Sequence, residues 1–163
     1  MDMDAKVARA LEKLYPHLRG NYGLTGGIAI ERYLGQKQQV NDVDIVVESI
    51  DDLLPSVKND FLVAHYHPPL GNGKFLIQLA DKESKLRVDV FPYLTNAHKR
   101  LRDRFISIED LTAKLLQILS GLFDGKRIER KHYERFRKLI KLVDRNKLEK
   151  IWQEYITLDL DRT

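Results

Sequence analysis

The sequence contains no cysteine. That removes disulfide frameworks, cysteine-ligated zinc and thiol catalysis together, and it suits a reducing compartment such as the cytoplasm. No stretch approaches the roughly 20 apolar residues that a membrane helix requires. Residues 1–18 are charged and amphipathic, without the apolar segment of a secretory leader. Internal repeats, low-complexity tracts and zinc-finger spacings are missing as well. Aromatic residues are not interleaved with basic ones, as a base-stacking platform would need. A cytoplasmic protein that does not enter the membrane is the expectation.

What is present is ordinary for a globular chain. The 163 residues are 43% hydrophobic and 32% charged, enough for one domain or one domain with a helical appendage. A chain of this size buries roughly 68–70% of its unfolded surface, so no staple is needed. The net charge of +4 is unevenly placed. The segment from Lys126 to Lys150 holds 11 Lys/Arg against 4 Asp/Glu, a balance of +7, and the remainder holds 17 against 20, a balance of −3. A basic segment of this kind serves an anionic partner such as RNA or a nucleotide, or it is simply a solvated helix face.

Periodicity predicts a helix over 4–18, with Val7, Leu11, Leu14 and Leu18 on one stripe. A short strand at 22–25 is broken by Gly26–Gly27 and followed by a helix over 28–34. Residues 42–48 are β-branched and read as a buried strand. Residues 49–59 read as helical with Ser49 as N-cap, and 61–67 as a strand. Pro68–Pro69 and Gly71–Asn72–Gly73 mark a loop. Residues 75–80 and 86–93 form a hairpin pattern, with Pro92 near the end of the second strand. From 96 onward only helices are expected. Ser107 and Asp110 resemble a capping box, and Leu111, Leu115, Ile118 and Leu122 form a stripe. Gly125 separates it from helices over 128–143 and 146–155. The expected architecture is α/β (α+β), with a mixed sheet and flanking helices in residues 1–95 and a helical bundle region in 96–163 packed on it.

Asp42 and Asp44 are two apart in a strand and therefore project from one face. Val43, Ile45 and Val47 point the other way, into the core. Two adjacent carboxylates repel unless a cation lies between them, and hard oxygen ligands suit Mg²⁺ bound together with phosphates. Asp89 is a third acid, in an otherwise apolar strand with Arg87 and Phe91 on its own face. Burying it without a partner is costly, and a metal-bound pair on a neighbouring strand supplies one. Gly26–Gly27 precedes a helix whose N-terminal amides make a phosphate cradle, with the Thr25 hydroxyl beside them.

Thr25–Gly26–Gly27, then 14 residues, then Asp42–Val43–Asp44, then Asp89 resembles the DNA polymerase β-like nucleotidyltransferases, in particular their small antibiotic and toxin–antitoxin types. The resemblance covers residues 22–93. It implies a nucleotidyltransferase-like fold and two Mg²⁺ ions held by Asp42, Asp44 and Asp89. It further implies nucleotide binding by Thr25, Gly26 and Gly27, and transfer of an NMP from an NTP, with ATP the expected donor, to a hydroxyl with release of pyrophosphate. Residues 106–118 are similar to the helix that follows the catalytic part in such proteins, where a lysine stands near the nucleotide; Lys114 matches it. Many relatives carry Arg and Thr where this chain has Gln38 and Val40. An antibiotic, a protein side chain and an RNA end are all open as acceptors. The alternative implied by the same resemblance is a non-catalytic or partner-dependent toxin–antitoxin module that binds RNA through its basic segment.

For each feature a plainer reading exists. Asp42 and Asp44 suit a solvated strand start, Asp89 a pairing with Arg87 or Lys74, the glycines a tight turn, and Lys114 a snorkelling surface lysine. His65 and His67 alternate on one strand, but no further ligands cluster with them, so surface or substrate-lining positions are expected. Tyr93, Tyr133 and Trp152 read as packing residues.

Overall fold

The computed structural model describes residues 3–37, 42–69, 73–121 and 127–160. Gln38, Val40, Gly71, Asn72, Leu122, Gly125 and Lys126 lie outside the described residues. The chain runs α1 (Met3–Leu14), β1 (Gly23–Thr25), α2 (Gly26–Leu34), β2 (Asp42–Val47), β3 (Phe61–His67), β4 (Leu76–Asp81), β5 (Arg87–Pro92), α3 (Ile108–Leu119), α4 (Arg130–Leu139) and α5 (Arg145–Leu160). The five strands form one sheet in the order β1-β2-β5-β4-β3. β2 and β5 are parallel and the other neighbours antiparallel, which is the mixed α/β sheet expected.

The strand β2 forms where β-branched residues are densest, and alternation decides its faces. Val43, Ile45 and Val47 are fully buried, as are Val88 and Val90 of β5 and Leu79 of β4. These residues meet Val7, Ala10, Leu11 and Leu14 of α1 in one apolar cluster. The stripe predicted for the first helix is therefore its buried face, although regular α-helix stops at Leu14 and Tyr15–His17 continues as a 3-10 turn. A second cluster joins Ala29 and Ile30 of α2 to Ala97, Ile106, Leu111 and Leu115 and to Leu139 of α4. α3 and α4 thus share a core with α2.

Three local expectations are corrected. Residues 49–59 do not form one helix; they form two 3-10 turns, Ile50–Asp52 and Pro55–Asn59. Pro55 forces Leu54 into extended geometry, with ψ 146°. Ser49 is nevertheless an N-cap, accepting from Asp51 N. The Ser107 box is half made: Asp110 N donates to Ser107 Oγ, but the Asp110 carboxylate turns away from the Ser107 amide. It accepts from the Ser107 hydroxyl at 2.5 Å, from Arg100 Nε at 2.9 Å and Nη2 at 2.8 Å, and from Tyr155 OH at 3.1 Å. Finally, Tyr133 is 59% exposed on the outer face of α4, whereas Trp152 packs in the third apolar cluster with Ala113, Leu148 and Ile151.

Arg100 also donates to Glu154 Oε2 at 2.8 Å, so it ties α3 to α5. Asp110 is fully buried, and its hydrogen bonds hold the guanidinium of Arg100 above its ordinary range against the opposing effect of burial. Removing one member of such a pair strands a charge. Asp110→Ala is expected to lower stability by about 3–5 kcal/mol, read from urea unfolding at neutral pH.

Candidate metal and nucleotide site

The face of β2 opposite the core carries Asp42 and Asp44, both half-buried. On β5 the same face carries Arg87, Asp89 and Phe91. The parallel register sets Asp44 against Asp89 and Asp42 against Arg87. One carboxylate oxygen from each of Asp42, Asp44 and Asp89 lies within 4.8 Å of the others. The three acids named from the sequence are thus brought together.

Arg87 brings a cation to this cluster from its own strand. Its Nη2 donates to Asp42 Oδ2 at 3.0 Å, and its Nε lies 3.3 Å from Asp89 Oδ1. That approach is not a hydrogen bond: Asp89 Oδ1 is buried and accepts none. Burial pushes the Asp89 carboxyl above the usual range. Arg87 opposes that shift and Asp42 adds to it. Burial would lower the Arg87 guanidinium, but Asp89, Asp42 and Asp44 carry it upward instead. The Arg87 guanidinium by itself does not balance three carboxylates. A buried, orphaned carboxylate oxygen beside two further hard oxygen donors fits a divalent cation of the Mg²⁺ type.

Thr25, Gly26 and Gly27 reach the same place from β1. Thr25 pairs with Asp44 across the sheet and is the extended N-cap of α2. Its hydroxyl makes no capping hydrogen bond. Gly26 has φ +68°, and a Cβ there would stand 2.2 Å from Asp44 Oδ2. Backbone conformation and space therefore both demand glycine. The N-terminus of α2, with its unsatisfied amides, begins against a carboxylate of the cluster.

Lys114 of α3 is half-buried, with Nζ 5.0 Å from the centroid of the Phe91 ring. Phe91 is two residues along β5 from Asp89, so Lys114 sits over the face that bears the acids. His65 and His67 are exposed on β3, two strands from β5 in the sheet; His67 Nδ1 lies 3.0 Å from Pro68 O.

Sequence reasoning missed Arg135. It belongs to the basic segment, as do Arg130 and Lys131. Those two point outward and pair locally, with Glu134 at 3.0 Å and Glu129 at 3.3 Å. Arg135 lies at helical spacing from the buried His132 and Leu139, on the inner side of α4. Burial pulls its guanidinium below the ordinary range, with Asp44 the first charge opposing that shift. The signal was its phase on an amphipathic helix, which is readable only once the inner face is known.

Gly26→Ala is expected to lower stability by about 1–3 kcal/mol, the range for forcing a side chain into such a conformation. It should also push Asp44 aside and weaken Mn²⁺ binding. Thermal unfolding and metal titration by electron paramagnetic resonance check both effects.

No protein-family model and no curated protein matches this sequence. Solved structures do. The solution structure of the antibiotic-resistance factor ANT(2'')-Ia superposes with a TM-score of 0.60 at 16% identity, over 95% of this chain and 94% of that one. The crystal structure of ANT(2'')-Ia in complex with adenylyl-2''-tobramycin gives a TM-score of 0.60 at 15% identity, over 94% and 96%. At such identities the likeness speaks for architecture. The chain has a nucleotidyltransferase-like fold, a mixed five-stranded sheet with helices packed behind and after it.

Proposed function

We propose that the protein is a metal-dependent nucleotidyltransferase that moves an NMP from an NTP to a hydroxyl acceptor and releases pyrophosphate. The observation that carries this reading is the convergence of Asp42, Asp44 and Asp89 within 4.8 Å, with a buried oxygen of Asp89 left unbonded. The fold shared with ANT(2'')-Ia supports it. That protein was crystallised with adenylyl-2''-tobramycin, which makes ATP the first donor to test and an antibiotic the first acceptor.

In this reading residues 1–95 form the catalytic part and 96–163 a helical part that closes one side of it. Asp42, Asp44 and Asp89 hold Mg²⁺, two ions when the site is full. When bound, the metal neutralises the triphosphate and lowers the pKa of the acceptor hydroxyl. The amides of Gly26 and Gly27 and the Thr25 hydroxyl orient the terminal phosphates at the start of α2. Lys114, held over Phe91, adds positive charge beside them. The acceptor oxygen forms its bond to the α-phosphorus as the bond to pyrophosphate breaks. Asp89 accepts the proton. Asp42 and Asp44 fix the geometry.

The test uses labelled NTPs with Mg²⁺ and three acceptor pools: aminoglycosides, tRNA and protein extract. Wild-type protein is expected to label one pool, and EDTA to abolish the product. Asp42→Ala and Asp44→Ala are each expected to lower the rate about 10²–10³-fold, as loss of a group stabilising transition-state charge does. Full labelling by both variants would sink the reading.

A further inference from the structure

A continuous row of cross-strand partners spans the sheet. Thr25 on β1 faces Asp44 on β2, Asp44 faces Asp89 on β5, Asp89 faces Gln78 on β4, and Gln78 faces His65 on β3. Directly opposed residues project from the same face of a sheet, so all five share the face of the carboxylates. Adjacent strands lie about 4.8 Å apart. Gln78 therefore stands one strand beyond Asp89, and His65 two. The glycines of α2 lie at the other end of the row, past Asp44. A nucleotide whose phosphates end at those glycines leaves the β4–β3 side for the group that attacks it.

His65 reaches this row through an irregularity in β3. The strand starts with Phe61 opposite Asp81 and Val63 opposite Leu79, and both of those β4 residues are buried on the core face. Simple alternation would send His65 and His67 to that face as well. The register instead shifts between Val63 and His65, so that Ala64 has no partner and His65 meets Gln78. One extra residue inverts the alternation beyond it, and bulges beside active sites serve to re-aim side chains. His65 is exposed and Gln78 half-buried. Neither side chain makes a hydrogen bond or ion pair with another described residue. An imidazole and a carboxamide side by side offer both donors and acceptors, the complement of a ring of hydroxyls.

We propose that His65 and Gln78 are acceptor-positioning residues that hydrogen-bond a sugar ring, one hydroxyl of which receives the nucleotide. The proposal rests on the nucleotidyl-transfer reading above. The sugar has two sources, the terminal ribose of an RNA or a ring of an aminoglycoside. Both present the same hydroxyl chemistry to β4 and β3.

The experiment assays wild type, His65→Ala, Gln78→Ala and His65→Gln with labelled ATP and Mg²⁺. Tobramycin is the acceptor in one arm and pooled tRNA in the other; the arm that yields product identifies the source. Each alanine variant is expected to raise the KM for the acceptor about tenfold, the size of one net hydrogen bond. The KM for ATP and the unfolding midpoint should stay at wild-type values, and His65→Gln should recover most of the loss. Product from wild type with an unchanged acceptor KM in both alanine variants overturns the positioning role alone. So does an equal rise in both substrates' KM, which marks a general structural effect. No product from wild type in either arm overturns this inference, while labelling of the protein pool alone leaves the transfer reading standing.

Discussion

The parallel pairing of β2 with β5 is the constraint on which the candidate site depends. It sets Asp44 against Asp89 in register and so forces together charges that repel. The opposing force comes from the other side of the same strands, where Val43, Ile45, Val47, Val88 and Val90 are all but closed to solvent. A slip of one residue would exchange the two faces, exposing the valines and burying the aspartates. Apolar burial on one face therefore holds the electrostatic strain on the other. A cluster of three carboxylates held together in this way is the state in which such a site would await a cation.

Much of this arrangement was legible in the sequence. Val43, Ile45 and Val47 alternate with Asp42 and Asp44, and period 2 fixes both faces at once. Gly26–Gly27 marked a strand break and a close backbone approach, though not that the tightest neighbour of Gly26 is Asp44 itself. The bulge at Ala64 left no mark: Leu62, Val63 and Ala64 include no glycine or proline, and the shift shows only in the pairing with β4. Arg135 was hidden for another reason. Half of the ten residues of that helix are basic, and which cation faces inward is set by packing against α2 and α3. Pro55 was visible, but the apolar residues around it suggested a helix that its ring does not permit.

The distribution of charge around the acids has a consistent sense. Arg87 comes from the same strand as Asp89, Lys114 from α3 and Arg135 from α4, so three elements each bring a cation toward one acidic centre. None of the three is among the most exposed basic residues. Arg130, whose side chain is 91% exposed, shows what a merely solvated cation on the same helix looks like. Segment-wide charge was thus a poor guide to which residue matters, while helical phase was a good one.

The contact of Asp110 with Arg100, Glu154 and Tyr155 bears on how the chain is assembled. α3 carries Lys114, and its N-terminus is anchored by a carboxylate that needs partners from α5, far along the chain. Asp110 and Tyr155 are 45 residues apart in the chain. The position of the lysine above the acids therefore depends on the docking of the last helix, and a change that loosens α5 would reach the site without touching it.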